Sequence, residues 1–184
     1  MASLTERMMR AAQLDATLYE EVEADTTATK QAMLVVVLSA VASGIGGMSH
    51  AGVSGLIVLT LSSLLAWYVW ALVIYYVGTK WLPEPTTQAD TGQLLRTLGF
   101  ASSPGIIRIA GVIPGLGLVA LVVAPLWMLC AMVVAVRQAL DYSGTGRAVA
   151  VCLIGWLVQI AILIVVGAAL GMVAGGEPSY LPEA

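Results

Sequence analysis

Catalysis needs polar side chains that converge, and this chain keeps few that could. Its single histidine, His50, sits beside Ser49 and Gly52 in SGIGGMSHAG, residues 43–52. A histidine with no second ligand or carboxylate at useful spacing reads first as an interfacial polar residue, and second as a lone sensor. Asp, Glu, Lys and Arg are all missing from 31–79, 109–136 and 148–176. An intramembrane hydrolase would place paired Asp, Ser with His, or a His and Glu metal cluster there. No P-loop glycine motif and no basic patch for nucleic acid occurs. The expectation is a protein with no catalytic, cofactor-binding or metal-binding residues, and no nucleic-acid partner.

Arg108 is the one strong charge inside an apolar segment. An Arg at mid-bilayer costs about 2.5–3.5 kcal/mol on insertion scales. Counted from Gly92 at about 1.5 Å per residue, it lies about 24 Å along its segment, toward the outer interface. Two readings stay open. Arg108 is a snorkelling anchor, or it lines a polar pocket beside Pro104, whose missing N–H frees a helical carbonyl, and there contacts a lipid or an anion. Gln159 is an isolated amide in the last apolar run, and Cys130 and Cys152 read as small apolar residues there.

The elements that must position these residues are helices in a membrane. Of 184 residues, 59% are hydrophobic and 10% charged, against about 25% charged in soluble domains. A spanning helix needs about 20 apolar residues, and the sequence divides into spans at about 31–48, 53–78, 93–113, 116–137 and 148–174. The predicted fold class is an all-α membrane protein of five transmembrane helices. The third span is the least regular, with Gly99, Pro104, Arg108 and Gly111, and VIPGLG, residues 112–117, ties it tightly to the fourth. Pro125 predicts a kink. Residues 175–184 form a short polar tail.

Residues 1–30 read as a separate cytoplasmic segment. They are polar where a signal peptide would be apolar. Leu4, Met8, Ala11, Leu14, Leu18 and Val22 recur every three or four residues and predict one amphipathic helix over 2–24. Residues 1–30 carry six acids and three bases, a net charge of −3. Surface-lying membrane helices are usually basic. This one is expected to fold onto Lys80, Arg96, Arg137 and Arg147, to dock on a basic partner, or to stay solvated.

Orientation follows from the basic residues. With five spans and the N-terminus inside, Arg7, Arg10, Lys30, Lys80, Arg96, Arg137 and Arg147 all fall on the cytoplasmic side. The C-terminus then lies outside, as expected for a multi-pass protein of the cell (inner) membrane. Gly167, Gly171 and Gly175 lie four apart, as do Ala131, Ala135 and Ala139. Such rows let helices approach closely, within one protomer or between copies.

RTLGFASSP, residues 96–104, resembles the Gly-aromatic-x-x-x-Pro signature of the Yip family, whose members include Rab-interacting membrane proteins. The match falls on Gly99, Phe100 and Pro104, with Phe where Tyr is common. VIPGLG, carrying Pro114 and Gly115, then Trp127, RQAL (137–140) and GRAVAV (146–151) resemble the rest of the domain. LDATLYEEVEAD, residues 14–25, is similar to the N-terminus of prokaryotic members. The resemblance implies five spans with a cytoplasmic N-terminus. Eukaryotic members act in vesicle traffic and membrane shaping, and some bind prenylated Rab GTPases. Their long N-terminal domain has no counterpart in the 30 residues here, so a GTPase partner does not carry over.

The functional expectation is a non-enzymatic scaffold whose partners are membrane lipids, other copies of itself or other membrane proteins. The alternatives are a channel or transporter component with its site at the broken third span, and a small accessory subunit of a larger membrane complex.

Overall fold

The computed structural model describes residues 2–46, 48–113 and 115–174; at 48–56, 59, 163, 166–167 and 169–174 it describes the backbone alone. Among the described residues every regular element is helical. The order is α1 (Leu4–Ala12), α2 (Ala16–Ala24), a 3-10 turn (Thr26–Ala28), α3 (Thr29–Gly46), α4 (Met48–Tyr76) and a π turn (Val77–Trp81). Then come α5 (Thr91–Ala101), a 3-10 helix (Ser103–Val112), α6 (Gly117–Ala139) and α7 (Thr145–Ala174). Stretches of four of them are long and apolar enough to cross a membrane: Thr26–Gly46, Thr60–Trp81, Gly117–Ala139 and Thr145–Ile162.

The N-terminal segment is two helices where the spacing predicts one. Ser3 caps α1 and exchanges hydrogen bonds with Glu6, a capping box. The helix stops because Leu14 adopts φ 63°, in the left-handed region. Asp15 then caps α2 by accepting from Thr17 N at 3.0 Å. The turn folds α1 back on α2, and Ala11, Leu18, Tyr19 and Val22 are fully buried. The apolar stripe thus survives as the inner face of a hairpin, except Leu14 at the turn, which is exposed.

The third apolar segment is also broken. Asp90 and Gln93 cap α5 with a second capping box. After Ala101 the chain tightens into a ten-residue 3-10 helix with Pro104 in its first turn, where no intrahelical donor is needed. A 3-10 run longer than three or four residues is uncommon, so something must hold this one. It lies against α3 in a register of small residues. A Cβ on Gly99 would stand 2.8 Å from the Ala32 Cβ. One on Gly105 would strike the Ser39 hydroxyl and come 2.8 Å from the Met128 sulfur. One on Gly111 would stand 3.0 Å from the Gly46 carbonyl, and Gly46 itself lies against the Arg108 carbonyl.

The spacing is six residues on the broken segment and seven on α3. Seven α residues rise about 10.5 Å, and six 3-10 residues rise about 12 Å in two full turns. The glycines therefore meet α3 at nearly every second turn, with both chains running the same way. Gly115, at φ +88°, helps reverse the chain into α6. Pro114, beside it, lies outside the described residues, as do Gly175 and the 175–184 tail.

The register predicts a specific sensitivity. Gly105→Val has no room between Ser39 and Met128, and overpacking of this kind costs about 1–3 kcal/mol. The variant should melt at a clearly lower temperature in mild detergent than the parent. An unchanged melting point would mean that the 3-10 helix is not held against α3.

Candidate functional site

Two places gather polar groups: the charged end of the bundle, and a cavity within it.

At the charged end, the hairpin pairs both of its arginines with its own acids. Arg7 donates to Glu21 at 2.8 Å and Asp25 at 2.9 Å, and its other terminal nitrogen donates to Gln31. Arg10 pairs with Asp15 at 2.8 Å and Glu21 at 2.7 Å. Hydrogen bonds from Arg10 and Arg7 hold Glu21 below the usual carboxylate range, and the Arg10 bond does the same for Asp15. Arg7 is nearly buried, which makes its pairs firmer than surface ion pairs worth about 0–1 kcal/mol.

The hairpin also docks on the chain's own helices. Of the four basic residues expected to receive it, only Arg96 is hydrogen-bonded to it. Its guanidinium donates to backbone carbonyls at the end of α2, to Val22 O at 3.0 Å and to Glu23 O. This caps a helix C-terminus, which attracts cations. Gln93 donates to Glu23, Gln138 to Glu20, and the Trp127 indole to Ala12 O at 2.7 Å. Arg147 instead pairs with Glu84 at 3.2 Å, and Lys80 is exposed. Docking therefore rests on a buried apolar face and backbone carbonyls, with little from charge across the contact.

The loops at this end are tied together. Thr86 donates to Asp141 O, Ser143 N donates to Glu84, and the Tyr142 hydroxyl lies 3.0 Å from Gly78 O and 2.8 Å from Leu82 O. A polar cleft of about 680 Å³ remains between hairpin and loops, lined by Glu20, Glu23, Gln93, Arg137 and Asp141 among others. Burial there raises the Glu23 carboxyl to about 7, with Asp141 adding to the rise and Arg96 opposing it.

The cavity lies among α3, α4, the 3-10 helix, α6 and α7, with a volume of about 370 Å³. Val36, Ala40, Leu126, Met128, Leu129 and Met132 give it apolar walls, and Ser39, Ser102, Arg108 and Gln159 are its polar groups, with Ser63, Trp67 and Trp70 on the α4 side. Among the described residues four buried side-chain atoms have no hydrogen-bond partner: Trp67 Nε1, Trp70 Nε1, Gln159 Oε1 and Arg137 Nε. Three of the four belong to residues lining this one cavity.

The structure brings Arg108 and Gln159 together, on different helices, as the residue types alone did not reveal. Of the residues in the family-type motif, Gly99 makes the contact with Ala32, Phe100 is fully buried in the core, and Pro104 opens the 3-10 helix. The alanine row Ala131, Ala135 and Ala139 is fully buried inside the protomer. Gly167 and Gly171 lie on the α7 backbone, and their surroundings, like the side chain of His50, fall outside the described residues. The tryptophan donors do not stand out as site groups in the sequence: the later aromatics Tyr75, Tyr76 and Trp81 suit an interfacial belt, and Trp67 and Trp70, deeper in the span, carry no mark of an unpaired N–H. Their signal was depth, because Trp67 and Trp70 stand ten or more residues before Lys80.

The family model for the Yip1 domain matches residues 19–180. No curated protein and no solved structure matches the chain.

The raised Glu23 carboxyl sets a pH dependence. Its value in the docked hairpin lies above the unfolded value of 4.5, so docking is favoured by protonation. Docking should tighten as pH falls from 8 through 7 toward 5, before Asp15 and Glu21 begin to lose their pairs. Amide exchange over residues 16–24 should be slower at pH 6 than at pH 8 after correction for intrinsic rates. Glu23→Gln should flatten that difference, and a difference of unchanged size in the variant would assign it to another group.

Proposed function

The chain belongs to the Yip1 domain family, and we propose that it acts without catalysis, as a five-crossing membrane-organising scaffold. The observation that carries this is where its interaction capacity lies. The charged end is tied largely to itself, with Arg7 and Arg10 holding Asp15, Glu21 and Asp25 and with Arg96 holding the last turn of α2. What faces outward at membrane depth is apolar: Ile57, Leu61 and Leu65 on α4, Leu118 and Leu121 on α6, Leu157 and Ile164 on α7. Such faces meet lipids, other membrane proteins or a second copy, and they act in the plane of the bilayer.

Five crossings fit the geometry. The broken third segment runs beside α3 from Gly99 at Ala32 to Gly111 at Gly46, so it crosses where α3 crosses. Its α and 3-10 parts together span about 36 Å, taking about 1.5 and 2.0 Å per residue, against a hydrocarbon core of about 30 Å. The hairpin, the 82–90 linker and the 140–147 loop share one end through the bonds of Arg96, Gln138, Thr86 and Glu84. That end carries Arg7, Arg10, Lys30, Lys80, Arg96, Arg137 and Arg147, so it is the cytoplasmic one. The C-terminus then lies outside.

A second reading, a channel or transporter component, is favoured by the cavity at the broken segment. Irregular helices at membrane depth often line solute sites.

Two measurements test the proposal. A single cysteine placed at Ser143 should react only from the cytoplasmic face of sealed vesicles, and labelling from the outside would remove the five-crossing topology. Native mass spectrometry from lipid nanodiscs should detect dimers or larger assemblies, alone or with a co-purified membrane protein. A strictly monomeric, partner-free protein that conducts or transports a solute in liposomes would replace the scaffold with the second reading.

A further inference from the structure

The cavity has a composition that specifies its occupant. Its unsatisfied groups are mostly donors. Trp67 and Trp70 each carry a buried indole N–H with no acceptor, and the Trp70 side chain is only 7% exposed overall. Arg108 has no ion pair and no hydrogen bond to its guanidinium among the described residues, while that group has only donors to offer. Against these stands one buried side-chain acceptor without a partner among the described residues, Gln159 Oε1. A buried donor without a partner costs about 1–3 kcal/mol, so two buried indole donors beside the unpaired, partly buried guanidinium of Arg108 favour an occupant that brings acceptors and negative charge.

The remaining walls are apolar, and two of them are methionines, Met128 and Met132. Methionine side chains are flexible and polarisable, and they fit alkyl chains of irregular shape. The volume of about 370 Å³ falls in the range of small-molecule pockets, about 300–1,000 Å³. The outer faces of the bundle that encloses the cavity are apolar, which favours an occupant drawn from the bilayer.

We propose that this cavity is a binding site for an anionic amphiphile. Its carboxylate or phosphate head meets Arg108 and the indole donors, and its alkyl chain lies along Val36, Leu126, Leu129 and the two methionines. This site is separate from the association surfaces of the scaffold and does not depend on them. A long-chain fatty acid and an acidic phospholipid share the required chemistry.

The test uses the full-length protein in mild detergent and the quenching of tryptophan emission by brominated chains. Three of the five tryptophans, Trp67, Trp70 and Trp156, line the cavity. Dibromostearate should quench saturably. Its methyl ester, with the same chain and no charge, should need at least tenfold more for half-saturation. Arg108→Gln should weaken dibromostearate by a similar factor, and Ala66→Leu, which fills the cavity, should reduce the amplitude. Arg147→Gln, at the charged end, should change nothing. Brominated phosphatidylglycerol in a parallel titration separates the sources: quenching by it at lower concentration assigns a diacyl lipid, and quenching by dibromostearate alone assigns a fatty acid. The proposal is overturned if acid and ester quench alike, or if folded Arg108→Gln binds as the parent does. Should Arg108→Gln not fold, the acid and ester comparison on the unaltered protein decides. A monomer that binds the acid would sink the scaffold alone, and an oligomer that does not bind it would sink this site alone.

Discussion

Two backbones lie against each other with almost no side chain between them, and the rest of the bundle is arranged around that contact. Ala32, Ser39 and Gly46 on α3 face Gly99, Gly105 and Gly111 on the broken segment. In a membrane, helices gain little from hiding apolar surface from one another, because lipid tails are equally apolar. Close approach then supplies the attraction, through dispersion and weak contacts between backbones. The contact also explains why a long 3-10 helix persists. Its three-residue turn keeps Gly105, Arg108 and Gly111 on one face. An α-helix would rotate Arg108 and Gly111 away from a line through Gly105.

The same contact leaves space elsewhere. Residues small enough to let α3 and the 3-10 helix touch are too small to fill the volume toward α4 and α7. Pro125 lies inside α6 beside that volume. A proline inside a helix removes a hydrogen bond and bends the helix away from straight packing. The cavity is thus a consequence of how the third segment is held. At the other end of the bundle the logic is reversed. There, full-sized side chains such as Tyr19, Leu94, Leu98, Phe100 and Leu140 pack without exposure, and among the described buried side-chain atoms at that end only Arg137 Nε lacks a hydrogen-bond partner.

The sequence carried the helical architecture in its charge-free runs. What it concealed was local. Nothing in residues 2–24 marks a break, because no Gly or Pro stands there. The split depends on Leu14 at positive φ and on Asp15 accepting from Thr17 N, and an Asp in a charged helix looks ordinary until its partner is known. Irregularity of the third segment was visible in Gly99, Pro104 and Gly111. Its six-residue period was not, since three positions make no statistical pattern and the matching seven-residue period lies on another helix. For the candidate site, Arg108 and Gln159 stood out as polar residues in apolar runs. Trp67 and Trp70 did not, because the chemistry of an indole depends on whether its N–H has found a partner.

Arg108 now has a place that limits what it can do. A snorkelling arginine needs a path along the outside of its helix to the headgroups. This one rises from the glycine face of the 3-10 helix, with its own carbonyl against Gly46, and its side chain lines the cavity among α4, α6 and α7. The three-residue turn that brings Gly105 and Gly111 to α3 forces position 108 onto the same inner side. A leucine there would fit the walls at no electrostatic cost, whereas a guanidinium at membrane depth costs about 2.5–3.5 kcal/mol on insertion scales. Neither close packing of α3 nor the docking of the hairpin uses that charge. The packing that holds the third segment therefore accounts for where Arg108 points, and the proposed anionic occupant of the cavity would account for its being an arginine.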